Sequence, residues 1–283
     1  MKDTLKNFRL GTKVQPARAT PIVLKTRREI EMMRHTGKVG HDILQRMAES
    51  VKPGATTWDL NEIARIELEK HDAIGLSKNY PEYKPNTGYP AETCISVNEV
   101  VVHGIPNRTP LKAGDVVTLD LALAVNGYCA DTAITVAVGE ISKSDQSLLD
   151  ITKGTLDLAL EHMKPGRQWS DIARLMQYNV ERAGFSVVHE FVGHGIGRSM
   201  HEDPKVPNFV TAEQLRGDFK LRPGMTLAVE PMVVVGKREV DLLKDGWTVV
   251  TKDRKHACHF EHTVAVTETG VDVLTDGRAP YAL

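Results

Sequence analysis

The strongest constraint on this chain is that it repeats itself. Lys52-Pro53-Gly54 is followed by Trp58-Asp59-Leu60 and Ile63-Ala64-Arg65, and Lys164-Pro165-Gly166 is followed by Trp169-Ser170-Asp171 and Ile172-Ala173-Arg174. His103-Gly104-Ile105 in the first half is echoed by His194-Gly195-Ile196 in the second. Gly114 leads into the β-rich run Val116–Val125 and Gly224 into the run 225–235, with Asp120 and Glu230 at the same offset from their glycines. Each half then closes on an acidic residue that opens another β-rich run, at Asp131-Thr132-Ala133-Ile134-Thr135-Val136 and Glu261-His262-Thr263-Val264-Ala265-Val266. One shared tripeptide arises by chance, whereas ordered correspondences in series do not. A duplicated α/β half packs about a pseudo-two-fold axis, so the repeated acidic and His residues are expected to converge near that axis.

The repeat unit reads helix, helix, His-Gly-Ile, acidic strand, acidic strand. Its first helix is expected from Thr26, with Glu29 at capping-box spacing and Ile30, Met33, Ile43, Leu44 and Met47 turned inward. The counterpart is expected from about Ser144 to Met163. Each Lys-Pro-Gly supplies the breakers that follow a helix, and Thr57 and Ser170 are the expected N-caps of the next one.

Composition removes several function classes. Of 283 residues, 41% are apolar and 26% charged, which fits a soluble globular protein rather than a disordered or collagenous one. No apolar run approaches the roughly 20 residues of a membrane span, so no membrane partner is expected. Aromatic residues are only 5%, leaving little material for base-stacking platforms. The cysteines, Cys94, Cys129 and Cys258, are odd in number and lack C-x-x-C spacing, and the N-terminus lacks an apolar secretory core, so a reducing, cytoplasmic setting is expected. Residues 1–22 carry a net +4 against a total of −1 for the chain. This segment is read as a basic extension, either a solvated tail or a weak contact with an anionic surface such as RNA. The remainder, 23–283, is read as a single catalytic domain with halves over roughly 23–140 and 141–275.

The chemistry is sharpest in the hairpin. Asn126-Gly127 between two β-rich runs signals a two-residue turn. Val125 then faces Tyr128, Ala122 faces Asp131, and Ala133 faces Asp120. Because side chains alternate across a strand, Asp120 and Asp131 share a face as diagonal neighbours. A single Asp on a strand is most simply a solvated outward residue, but two on one face of an apolar hairpin call for a divalent cation. The repeat adds Glu230 and Glu261, and the loop Gly193-His194-Gly195-Ile196-Gly197 adds His194. Four carboxylates and one imidazole suit two bridged Mn(II), Fe(II) or Co(II) ions better than a Cys-rich structural zinc site; Zn(II) also fits. Such a centre acidifies water and polarises a carbonyl, which suits hydrolysis of an amide or ester. His103 and His201 are placed beside the metals, where either can hydrogen-bond substrate or an oxyanion. His256, His259 and His262 flank Glu261, and spacing gives them no role.

Over roughly residues 22–275 these motifs resemble those of the methionine aminopeptidases, within the duplicated pita-bread fold shared with prolidases and creatinase. The segments that carry the resemblance are Cys94-Ile95-Ser96-Val97-Asn98-Glu99-Val100, His103-Gly104-Ile105-Pro106, Asp120, Asp131, Gly193-His194-Gly195-Ile196-Gly197-Arg198, His201-Glu202-Asp203-Pro204, Glu230-Pro231-Met232 and Phe260-Glu261-His262-Thr263. The resemblance implies an α/β (α+β) fold in which two pseudo-two-fold-related halves each pair an antiparallel sheet with flanking helices. It implies Asp120, Asp131, His194, Glu230 and Glu261 as ligands of two divalent ions, with Asp131 and Glu261 bridging. It implies substrate contact and proton handling for His103 and His201, and a proton-shuttle role for Glu230. The short span from His194 to Glu230 matches the type I enzymes and excludes the helical insertion of type II.

Two departures touch the substrate pocket: Asn86-Thr87 precede Gly88-Tyr89-Pro90 where Tyr-His is usual, and Met200 stands where an aromatic residue is common before His201. Tyr89, Cys94 and Trp247 match positions lining the methionine pocket, and a flexible Met200 preserves an apolar wall. The implied activity is cytoplasmic removal of the initiator methionine from peptides and nascent chains whose second residue is small. A monomer is expected, with a transient ribosome contact through the basic extension. The rival readings are an Xaa-Pro peptidase on the same fold and a non-catalytic module binding RNA or a ribosome. Lost ligands would mark the latter, and none is lost.

Overall fold

The computed structural model describes residues 21–81 and 88–280. The basic extension up to residue 20, and Asn86 and Thr87, lie outside the described residues. Helix α1 (Arg27–Glu49) starts as the sequence suggests: the Thr26 hydroxyl accepts the Glu29 N–H, and Glu29 reaches back to the Thr26 N–H. Helix α2 (Thr57–Lys70) uses the same device one residue before the expected cap. Thr56 and Asp59 form the box, and Thr57, buried as the first helical residue, donates its hydroxyl to the Asn107 carbonyl. Helix α3 (Lys143–His162) is capped by Ser142. Helix α4 (Trp169–Arg182) departs from expectation, because Ser170 is not its cap and Gln168 makes no side-chain cap bond. The Ser170 N–H is instead taken by Asp218 Oδ1 at 3.0 Å, a carboxylate far away in sequence.

The first-half sheet contains β1 (Cys94–Val97), β2 (Val116–Val125) and β3 (Tyr128–Ala137), with β2 pairing antiparallel to both others. Asn126 and Gly127, at φ 51° and 73°, make the two-residue turn. The register is the one counted from the sequence, Val125 with Tyr128, Ala122 with Asp131 and Asp120 with Ala133, and it runs without a bulge. In the second half, β4 (Gly193–Gly195), β5 (Glu202–Val206), β6 (Thr226–Val229), β9 (His262–Val266) and β10 (Val271–Val273) form a sheet of order β10-β9-β6-β4-β5. The run 225–235, expected as one strand, is split. Pro231 cannot donate a ladder hydrogen bond, and the chain after it becomes β7 (Met232–Val234), which leaves for β8 (Ala257–His259) in another sheet.

The duplication recurs bond by bond. Gly54 and Gly166 donate to the Leu111 and Leu221 carbonyls, both at 2.8 Å, and Gly114 and Gly224 donate to Val138 and Val266, both at 2.9 Å. In each half the helices cover one sheet face. Val117, Leu119, Leu121 and Leu123 of β2 pack on Ile43, Leu44 and Met47 of α1 and on Leu60 and Leu68 of α2. Leu227, Val229, Val264 and Val266 pack on Leu156 of α3 and on Trp169, Ile172 and Met176 of α4. Burial of each such side chain stabilises the fold by roughly 1.5–3 kcal/mol. Alternation then sends Asp120, Ala122, Asp131 and Ala133 to the opposite face, toward the other half.

The halves meet where β3 abuts the entry to β9. Ala133 and Glu261 exchange reciprocal backbone bonds, Glu261 N–H to Ala133 O at 2.9 Å and Ala133 N–H to Glu261 O at 3.4 Å. On one side of that pair, Thr263 Oγ1 donates to Asp131 O at 2.8 Å and accepts the Asp131 N–H at 2.9 Å. On the other, Thr135 Oγ1 donates to His259 O at 2.6 Å and accepts the His259 N–H at 3.2 Å. The seam is therefore self-symmetric, with Ala133 equivalent to Glu261 and Asp131 equivalent to His259. A second tie is α1 itself. Its fully buried Arg34 bonds the Val273 carbonyl and Asp272, and Gly37 lies so close to the chain after β10 that a Cβ there would sit 2.1 Å from the Leu274 oxygen.

Candidate metal centre

The cleft between the halves collects the acidic residues. One ligand atom from each of Asp131, His194 and Glu261, all buried, lies within 4.8 Å of the others. Glu230 joins them, its Oε1 3.7 Å from His194 Nε2, and Asp131 Oδ2 is 3.8 Å from the same nitrogen. Asp120 sits on the same face of the hairpin as Asp131, diagonally across β2 and β3, with Cys94 of β1 as its other neighbour. Glu230 and Glu261 stand at the adjacent ends of β6 and β9, next to the last pair, Val229 with His262.

Each position has a local cause. His194 lies on the short β4, gripped on both sides. A Cβ on Gly193 would sit 2.3 Å from the Ala228 oxygen, and one on Gly195 would sit 2.2 Å from the Asp203 oxygen, so only glycine allows this approach. The Gly195 carbonyl accepts from His194 Nδ1 at 2.9 Å. That bond places the ring proton on Nδ1 and leaves the Nε2 lone pair facing Asp131 and Glu230, the tautomer a metal ligand needs. Asn208, which nothing in its local sequence marks, donates Nδ2 to the Glu230 carbonyl at 2.9 Å and fixes the turn into Pro231.

Burial dominates the electrostatics. It pushes the Asp131 carboxyl up to about 7. Burial first, and then the neighbouring carboxylates, hold Asp120, Glu230 and Glu261 well above the usual range. Burial likewise lowers His194 and His259 to about 3 and His103 to about 4, so these rings are neutral at neutral pH. Asp131 Oδ1, Glu261 Oε1 and both ring nitrogens of His259 are buried without a hydrogen-bond partner among the described residues. Orphaned buried carboxylate oxygens are costly. An oxygen-rich set with one correctly oriented imidazole is satisfied by divalent cations, so the residues present fit a metal centre.

An apolar group adjoins the cluster through Cys94, the strand partner of Asp120. Tyr89, Ala91 and Cys94 pack with Ile105 and Trp247. Tyr89 meets the Trp247 ring edge-on at 5.4 Å and donates its hydroxyl to the Gly104 carbonyl at 2.7 Å. His103 lies perpendicular to both Phe191 and Trp247, at 5.4 and 6.5 Å, on the border of this apolar group. The His201 ring, exposed on its other side, packs on His194 at 4.3 Å, and its Nδ1 is 3.1 Å from the Tyr80 hydroxyl. Met200 is half-buried immediately before it.

The flanking histidines divide. His256 pairs with Asp145 at 2.7 Å and His262 with Thr275 at 2.8 Å, which are structural partnerships. His259 does not follow them: it lies beside the centre, with Nε2 3.8 Å from Glu230 Oε2. The signal that could have found it is the echo Asp131-x-Ala133-x-Thr135 against His259-x-Glu261-x-Thr263, two residues out of step with the more visible acidic match.

A duplicated antiparallel scaffold closing on a buried carboxylate–imidazole cluster defines a metal-dependent hydrolase, and the chain belongs to metallopeptidase family M24, whose pattern matches residues 31–268. Its relatives within that family are bacterial methionine aminopeptidases. Methionine aminopeptidase 1 of Bacillus subtilis is 44% identical over 254 residues, covering 90% of this chain and 99% of the relative. The crystal structure of methionine aminopeptidase from Thermotoga maritima superposes with a TM-score of 0.84 at 39% identity, covering 90% of this chain and 99% of that one. Prolidase from Pyrococcus furiosus, 19% identical, shares the fold with a TM-score of 0.71 over 91% of this chain and 66% of its own. No helix among the described residues is long and apolar enough to cross a membrane.

Proposed function

We propose that this chain is a type I methionine aminopeptidase, hydrolysing the N-terminal methionine from peptides and nascent chains whose second residue is small. The observation that carries the reading is the buried Asp131–His194–Glu261 cluster, with the neighbouring Asp120 paired across the strands to Cys94 of the Tyr89–Cys94–Trp247 apolar group. Asp120, Asp131, His194, Glu230 and Glu261 would hold two divalent ions, Mn, Fe or Co, with Zn as a further fit. Ions bound there supply an acidified water and a polarised scissile carbonyl.

The chain's own residues do the rest. Tyr89, Cys94, Trp247 and Met200 hold the methionine side chain, a soft thioether against apolar and aromatic walls. His103, neutral at working pH, and His201 hydrogen-bond the scissile amide. Glu230, its carboxyl raised by burial, is suited to carry a proton to the leaving amine. The same reading makes residues 23–283 one catalytic domain, working as a cytoplasmic monomer, with the basic extension touching the ribosome transiently.

The test is release of methionine from Met-Ala and Met-Gly peptides by protein reconstituted with Mn(II), Fe(II) or Co(II). No release with any of these ions would sink the proposal. Preferential cleavage of Ala-Pro peptides over Met-Ala would move the assignment to the Xaa-Pro peptidases.

A further inference from the structure

His259 is the residue of the centre that the proposed mechanism leaves unused. It is 3% exposed, and neither ring nitrogen has a hydrogen-bond partner among the described residues. A buried imidazole in that state is unfavourable unless it serves a neighbour. Its backbone cannot drift, because Thr135 Oγ1 both accepts its N–H and donates to its carbonyl. Its ring faces Glu230, with Nε2 3.8 Å from Oε2, while His194 Nε2 stands 3.7 Å from Oε1. Glu230 is thus bracketed by two imidazoles, one at each oxygen.

The two imidazoles are not alike. The His194 proton is fixed on Nδ1 by the Gly195 carbonyl, which leaves Nε2 an electron-pair donor. No carbonyl claims His259 Nδ1 among the described residues, and its Nε2 faces the Glu230 carboxyl at 3.8 Å. The stable neutral tautomer therefore carries its proton on Nε2, directed at the carboxylate.

We propose that His259 is a positioning residue for Glu230: its Nε2–H holds Oε2, turning Oε1 toward His194 and the acidic cluster. The small rotation of the Glu230 side chain that brings 3.8 Å to a hydrogen bond leaves its backbone in place, since Asn208 holds the carbonyl. The inference rests on the aminopeptidase reading for the meaning of Glu230, but its structural content is independent of substrate. Residues behind a metal-site ligand orient it, and their loss typically costs about 10–100-fold in activity or metal affinity.

The experiment compares His259→Gln, which keeps an N–H donor, with His259→Met, which keeps bulk alone, in the full-length protein loaded with Co(II). For His259→Met, kcat on Met-Ala is expected to fall roughly 10–100-fold with KM within about twofold, and the Co(II) visible spectrum is expected to shift at unchanged metal stoichiometry. His259→Gln is expected to restore both. Equal behaviour of the two variants, or an unchanged kcat and spectrum in His259→Met, would overturn the proposal. In the parent protein loaded with diamagnetic Zn(II), which ionises Glu230, nitrogen-15 histidine NMR is expected to find the His259 proton on Nε2; finding it on Nδ1 would overturn the proposal without recourse to any variant. A parent inactive on every Met peptide would defeat the aminopeptidase reading instead, and the Co(II) spectra and the tautomer would still decide the role of His259.

Discussion

Loading the cluster with a divalent cation is expected to expel protons, because of how the carboxyls are buried. Asp131 is pushed up to about 7, and Asp120, Glu230 and Glu261 are held well above the ordinary carboxylate range. Near pH 7.5 Asp131 is mostly ionised, whereas burial and the neighbouring carboxylates favour the protonated form of the other three. His194, lowered to about 3, has none to give from the nitrogen facing the site. A cation binds the ionised forms only, so binding near pH 7.5 should release protons, and apparent affinity should rise about tenfold per pH unit, ~1.4 kcal/mol, for each proton released. The same protons set the stability of the metal-free protein. A carboxyl whose folded pKa is raised is protonated in the fold where the unfolded chain is already ionised, so stability falls as pH rises toward the folded pKa. Buried neutral histidines act in the opposite direction, but only below about pH 6.5, where unfolded histidine protonates. Above pH 7 the carboxyl effect stands alone. Calorimetric titration of chelator-stripped protein with Mn(II), in buffers of different ionisation heat at pH 7 to 8.5, counts the protons directly. Zero protons released, with affinity flat across that range, would refute the claim that burial holds the carboxyls protonated.

Replacing Asp131 with Asn removes a charge from the proposed centre; atomic absorption should find metal lost, and peptide turnover should fall beyond the roughly 10–100-fold typical of outer residues. Thr26→Ala removes the reciprocal cap of α1 and should cost about 1 kcal/mol in denaturant unfolding. Gly37→Val places a side chain into the Leu274 carbonyl, where even a Cβ would lie at 2.1 Å, and should destabilise by at least about 1–3 kcal/mol in the same assay.

What was legible in the sequence was whatever local rules control. Asn126-Gly127 forces a tight turn, and once the turn is known the β2–β3 register follows by counting, so Asp120 and Asp131 fall on one face with no knowledge of the rest of the fold. The α1 cap is equally local. The α4 start was misread because its cap comes from Asp218, and no window around Ser170 contains that information. The run 225–235 carries its breaker at Pro231, but its apolar residues outweigh one proline in a local reading, and β8, the strand that draws β7 into another sheet, lies outside that run. His259 was missed for a subtler reason: matching like with like set Asp131 against Glu261, whereas the hydrogen bonds set Asp131 against His259.

That two-residue offset explains how a symmetric scaffold makes an asymmetric site. The reciprocal Ala133–Glu261 bonds lie on the pseudo-two-fold axis, so a side chain there is about equally near both halves. Two carboxylates at that pair would face each other across the axis, unpaired and buried, at a cost of several kcal/mol. With alanine on one side and glutamate on the other, one central carboxylate remains, and the space of the missing side chain lies next to it. Away from the axis the equivalent positions diverge in kind, Asp131 on one side and His259 on the other, so one half presents carboxylates through Asp120 and Asp131 while the other presents Glu230 between two imidazoles. A substrate amide entering between them meets chemically different groups on its two faces, which hydrolysis requires: one face must deliver the nucleophile while the other protonates the leaving amine.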